Sequence, residues 1–410
     1  MMGFAHRTVW LVLTLVLAPI AAAVEFVEID SPAADGSLAP RLVTVGTGEA
    51  VLTWLQPTTE GHRFSFAHFD NGTFGTVGTV HEGDGYFANW ADTPGLAVMP
   101  GGTWLAHWLE RSGKGTYAYD VKAAVSHDQG VTWSPAFSPH DDGTFTEHGF
   151  VSNYPSGDSE LGLVWLDGRE TAPAVVDGGM SASEGHDGHA AHGAMTLRTA
   201  RIDRTGGVRG GALLDARVCD CCATAAALTG EGPVVVYRDR SDDEVRDIML
   251  VRREATGWSK PVAVHDDQWQ INACPVNGPA VLARGSTVVV AWFTLANDGI
   301  PRVRIAQSMD AGRTFSSPVT LDAGIALGRV DLAWTNDGFA LAWLAEVGER
   351  GVLRLALFNP AGAVTGRHDL VELESGRASG FPRMVGIENS RLLVAWTGFQ
   401  RVRVGTVLLQ

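Results

Sequence analysis

Three of the chain's four cysteines fall within four positions of VCDCCATAA, as Cys219, Cys221 and Cys222, and the fourth, Cys274, stands in NACPVNGP. Thiols at this density suit a soft metal ion, disulfides or a redox couple. A CxCC group without a βαβ setting is a weak redox signature. A vicinal Cys221–Cys222 bond would be strained, so the disulfide alternative pairs Cys274 with one member of the cluster. A second group, SEGHDGHAAHGAM, spaces His186, His189, His192 and Met195 three residues apart on a Gly/Ala-rich stretch. Thiolate, imidazole and thioether together suit copper, or zinc if the thioether is incidental. A third group carries charge. Arg41 in APRLV, Arg329 in GRVDL and Arg383 in FPRMV stand 13, 14 and 13 residues before a tryptophan, and Tyr237 is followed directly by Arg238, Asp239 and Arg240.

The compartment decides which thiol chemistry is open. Residues 1–23 place Arg7 ahead of an apolar run from Val9 to Ala18 and end in Ala21-Ala22-Ala23. This is the layout of a cleaved secretory signal, and the run is short for a membrane span. The expected mature chain starts near Val24 and is exported, to the periplasm or outside the cell. Four cysteines in 410 residues are too few for a disulfide scaffold, although an exported protein can oxidise them. The formal charge of −15, or −16 once Arg7 is removed, argues against nucleic acid and anionic membranes as partners.

A repeat organises the elements that must position these residues. Short apolar runs end in an aromatic at Trp54, Trp108, Trp165, Tyr237, Trp292, Trp343 and Trp396, at intervals of 51 to 72 residues. Each follows another apolar stretch across a Gly- or Asp-containing turn, as in RVDLAWTNDGFALAW. Alternation with regular turns and little helical periodicity predicts antiparallel β-structure, and a period near fifty is one four-stranded propeller blade. The last repeat has room for three strands, so Val24 to Ile29 is expected to supply its fourth and close the ring.

Two turns sharpen the fold. Ser126-x-Asp128-x-Gly130-x-Thr132-Trp133 and Ser308-x-Asp310-x-Gly312-x-Thr314-Phe315 resemble the Asp box, or BNR repeat, of the sialidase-like propellers. The resemblance implies an all-β, sialidase-like propeller, and familiar sialidases have six blades where the count here is seven. It also implies an exo-α-sialidase activity, a glycoside hydrolysis with three arginines on the substrate carboxylate, a Tyr nucleophile with its Glu, and an Asp acid/base. Arg41, Arg329, Arg383, Tyr237 and Asp239 are the counterparts available. The match is incomplete, because the family's catalytic Tyr comes after its third arginine and no tyrosine here lies beyond Tyr237.

Blade topology turns sequence positions into faces. Loops into first strands and loops between strands two and three share one face, opposite the Asp-box turns. The cysteine loops precede the first strands of the fourth and fifth repeats, and the third repeat is lengthened at residues 171–195. The expectation is therefore an exported propeller, residues 24–410, whose cysteine face carries a Cys/His metal site. Copper is the first choice and zinc the second, for binding or handling of the ion with an exported protein as a partner. The alternatives are an exo-sialidase taking a small glycan, and a disulfide-stapled propeller that binds glycan or protein.

Overall fold

The computed structural model describes residues 24–172, 193–387 and 390–410. Residues 1–23, expected to be a secretory signal, and His186, His189 and His192 lie outside the described residues. Seven antiparallel sheets form the blades of a propeller. The first strands, which line the central channel, are Leu38–Gly46, Gly95–Val98, His148–Ser156, Ala225–Thr229, Ala280–Arg284, Ala326–Thr335 and Arg383–Ile387. The plan is four strands per blade, with the second blade's fourth strand reduced to a bridge between Ala123 and Phe137. Among the described residues no helix is long and apolar enough to cross a membrane.

All seven aromatic-ended runs are second strands, from Trp54 in Glu49–Thr58 to Trp396 in Arg391–Gly398. They read as continuous apolar runs because a blade's second strand is covered on both faces by neighbouring blades. The core is accordingly a ring of seven apolar clusters, one between each adjacent pair of blades. A large buried aromatic carries a polar atom that needs a partner. Trp292 Nε1 donates to Asp267 at 2.7 Å and Trp343 Nε1 to Asp322 at 2.8 Å, each Asp following the preceding blade's fourth strand.

The termini close the ring. Val24 to Ile29 pairs antiparallel with Val404 to Leu409, in register from Val24–Leu409 to Ile29–Val404. The seam blade thereby has its full four strands. Both Asp boxes form as their residue types dictate. Asp310 Oδ1 accepts the Thr314 amide at 2.9 Å and Ser308 Oγ the Gly312 amide at 2.8 Å. Asp128 and Ser126 repeat this with Thr132 and Gly130. Gly130 sits at φ +89, where glycine is favoured, and a Cβ there would meet the Phe66 ring at 2.5 Å.

Candidate functional site

The first cysteine loop joins the third blade's last strand, Val208–Asp215, to Ala225. Its backbone is tied on both sides, with the Val218 amide donating to Met195 O at 2.9 Å and the Cys219 amide to Arg238 O at 3.1 Å. Cys219 and Cys222 are buried and Cys221 is half-buried. Cys219 Sγ lies 3.4 Å from Cys222 Sγ and 3.9 Å from Cys221 Sγ, and all four cysteines are unbridged.

Arg238 binds the second loop to the first. Fully buried in the fourth blade, it donates from Nε and Nη2 to Asn277 O at 3.0 and 2.8 Å, and from Nη2 to Phe293 O at 2.7 Å. Close packing completes the joint, since a Cβ at Gly278 would stand 2.1 Å from Ala223 O. Exposed Cys274 is thereby brought to the same cleft as Cys221.

The charges around the thiols are fixed by a chain of ion pairs. Arg246 Nη1 lies 3.2 Å from Cys219 Sγ, and its Nη2 pairs with Glu244 at 2.7 Å. Arg240 bridges Glu244 at 2.7 Å and Asp220 at 3.0 Å. Hydrogen bonds from the neighbouring thiols of Cys221 and Cys222, with Arg246 adding its charge, hold the Cys219 thiol well below its ordinary range. Burial pushes Cys222 up, and hydrogen bonding to Cys219 does so for Cys221. One thiolate supported by two thiols and a guanidinium is poised for metal ligation, which requires deprotonated sulfur.

Above the thiols opens a cleft of about 920 Å³, walled by Phe87, Trp90, Tyr117 and Phe145, with Cys221, Asp220, Arg240 and Cys274 on its lining. Met195 is buried in the apolar cluster against which Cys221 packs, and it also lines the cleft.

The other predicted residues separate. Arg41 and Arg383 both line the central channel, a cavity of about 250 Å³. Burial, with each other's charge, brings Arg41 down to about 9. Arg329 is turned away from them, donating to Ser379 Oγ at 2.8 Å and Gly380 O at 3.1 Å beneath the Trp90 ring. Tyr237 is 1% exposed, and its hydroxyl donates to Asp215 Oδ2 at 2.5 Å. Asp215 ends the preceding blade, so this pair repeats Trp292–Asp267 and Trp343–Asp322. Tyr237 thus fills a core position of the repeat and does not reach the arginines of the channel. Asp239 pairs through its backbone with Val218, and burial raises it to about 6. Arg238, Arg240 and Arg246 serve the cysteine loops.

Sequence reasoning missed a carboxyl pair beside the cleft, of which Glu147 reaches the lining and Asp92 is buried behind it. The Tyr119 hydroxyl stands 2.7 Å from Glu147 Oε1 and 3.0 Å from Asp92 Oδ2. One hydroxyl hydrogen serves one carboxylate, so the other contact needs a proton on a carboxyl. Burial raises Asp92 to about 7 and Glu147 to about 8. A further group around His148 was also missed. No local pattern marks either one, because their members come from different blades or from loops flanking them.

No protein-family model matches the chain, and no curated protein matches it. Among solved structures it is similar to a protein of unknown function from Dyadobacter fermentans, at 12% identity over 94% of this chain and 99% of that one, with a TM-score of 0.49. It is similar to a mutant NanB sialidase of Streptococcus pneumoniae at 10% identity, over 95% and 98% of the two chains, with a TM-score of 0.48. An α-L-arabinanase of Penicillium chrysogenum matches at 14% identity, over 95% and 98%, with a TM-score of 0.44. The seven-bladed architecture itself rests on the seven antiparallel sheets of this chain.

Proposed function

We propose that this protein is an exported metal-handling propeller that holds a soft ion, copper(I) first and zinc second, on Cys219, Cys221 and Cys222. The observation that carries the reading is the sulfur spacing of 3.4 and 3.9 Å about Cys219. Zn–S bonds of about 2.3 Å put two sulfurs on one ion roughly 4 Å apart, whereas a disulfide needs about 2.05 Å. Soft thiolates select copper(I) and zinc. Structural zinc takes four ligands, while copper(I) is content with three sulfurs. Arg246 offsets the negative charge that three thiolates bring.

Exposed Cys274 and half-buried Cys221 then form an inward route, from the cleft mouth to the buried pair. A carrier or an exported partner protein would present the ion there. His186, His189 and His192 enter the proposal as a collecting segment, on the strength of their spacing, whereas Met195, expected as a further ligand, is packed in the apolar core. Export rests on the character of residues 1–23. The exo-sialidase alternative, with a small glycan as substrate, has less support because Arg329 and Tyr237 stand apart from Arg41 and Arg383.

The test is a thiol count and a copper(I) competition titration against a chromophoric chelator, on protein purified without oxygen. Four free thiols and one tightly held copper are expected. Cys221→Ser and Cys222→Ser should each release it. Protein with no free thiol and no copper uptake would establish the stapled propeller instead.

A further inference from the structure

A second cluster lies between the second and third blades, independent of the cysteines. His148 begins the third blade's first strand, Asp167 ends its second, and His140 and Asp142 precede it in the connecting loop. His148 and Asp167 are fully buried and Asp142 is 7% exposed at its side chain. His148 Nδ1 faces Thr146 O at 3.2 Å and therefore carries the hydrogen of that bond. In the neutral ring this leaves the lone pair on Nε2. That atom makes no hydrogen bond. It faces Asp142 Oδ2 at 3.1 Å and Asp167 Oδ1 at 3.7 Å. A lone pair directed at two carboxylate oxygens calls for a cation between them.

The surroundings orient those oxygens. Asp142 Oδ1 is taken by Thr144 N at 3.1 Å, and Asp167 Oδ2 by Trp165 Nε1 at 2.7 Å. His140 stacks on His148 with centroids 3.9 Å apart, accepts the Val121 amide at Nε2, and turns Nδ1 to Asp142 Oδ2 at 3.2 Å. With Nε2 accepting, the ring hydrogen of His140 sits on Nδ1, and His140 acts as an orienting donor to Asp142. Asp142 stands where Asp267 and Asp322 cap the indoles of later blades. Here Trp165 uses Asp167 instead, which frees Asp142 for His148. Arg169 donates to the ligand oxygen Asp167 Oδ1 from Nε at 2.7 Å and from its amide at 3.1 Å, and its Nη2 lies 3.2 Å from Asp142 Oδ2, so a guanidinium already shares both oxygens and the ion would take their remaining lone pairs.

The geometry points to a divalent-cation site of the zinc type, with His148 Nε2, Asp142 Oδ2 and Asp167 Oδ1 as protein ligands. Zinc bonds to nitrogen and oxygen of about 2.0–2.2 Å imply ligand–ligand separations of roughly 3.4 Å, and 3.1 and 3.7 Å bracket that value. One imidazole with two carboxylates is a borderline-to-hard set, unlike the all-sulfur cluster. His140 then plays the part that carboxylates and carbonyls usually play behind ligands. A cavity of about 460 Å³ bordered by His140, Trp165, Arg169 and Arg198 offers the approach.

Cobalt(II) is the probe, because its spectrum reports its donors. Titration of the full mature chain should show two classes of bound ion, one with a sulfur-to-cobalt charge-transfer band and one with weak visible bands alone. Zinc should displace the second class. His148→Gln and Asp142→Asn, checked for folding by circular dichroism, should each weaken that class by about 100-fold and leave the sulfur band unchanged. Should either variant misfold, the other and the wild-type spectrum still decide the matter. If all bound cobalt carries the sulfur band, or His148→Gln retains the second class, the cation between these groups is a proton on His148 and the proposal fails.

Discussion

Replacing Glu147 by Gln tests the carboxyl pair quantitatively. Glu147 has an ordinary value of 4.5 and is raised to about 8 in the folded cleft, mainly by burial. Between those values the folded state binds more protons at this site than the unfolded state does. Stability from the protonated group is thus fully present below pH 4.5 and is lost as the pH rises toward 8. At 1.36 kcal/mol for each pH unit, the penalty reaches roughly 3 kcal/mol at pH 7 and stays under about 1 kcal/mol at pH 5. Gln keeps the oxygen that accepts from Tyr119 and has no proton to lose. Glu147→Gln should therefore match wild type within about 1 kcal/mol at pH 5 and exceed it by roughly 3 kcal/mol at pH 7. Urea unfolding at the two pH values measures both differences. Asp92, raised to about 7 by burial, contributes a slope of the same sign in both proteins and cancels to first order. Parallel stability curves for the two proteins from pH 5 to 8 would show that Glu147 is ionised in the fold and refute the reasoning.

Other positions make separate demands. Gly278→Ala forces a Cβ against Ala223 O and should cost about 1–3 kcal/mol in urea unfolding; under the proposed function it also weakens copper binding by separating the two cysteine loops. Phe26→Ala removes the ring that sits 5.9 Å from Trp396 at the seam, and a loss of about 2 kcal/mol is expected, with an unchanged midpoint as the contrary result. An aryl sialoside should be released slowly at best, since Tyr237 is committed to Asp215; turnover abolished by Arg383→Ala would restore the glycosidase reading. Cys274→Ser should slow copper uptake from a carrier more than it lowers final affinity, measured by stopped-flow and by competition at equilibrium.

The sequence by itself determined the architecture. A recurring aromatic at the end of an apolar run is a local consequence of burying every second strand between two blades. Seven such runs therefore count blades, and Val24 to Ile29 is legible as the closing strand because the last repeat is one strand short. The same topology assigned Cys219, Cys221, Cys222 and Cys274 to one face, since the alternation of turns between faces depends on strand order alone. Side-chain direction did not follow from it. Arg41, Arg329 and Arg383 occupy matching sequence positions, yet Arg329 is drawn under Trp90 and to Ser379 and Gly380, contacts that only packing supplies. Tyr237 reads as a candidate nucleophile in the sequence, but its hydroxyl is held by Asp215, 22 residues away. The Asp92–Tyr119–Glu147 and His140–His148 groups draw on strands and loops of the second and third blades, brought together where those two blades pack. The raised proton affinities of Asp92 and Glu147 come from burial, a property of the folded surface that no short stretch of chain carries.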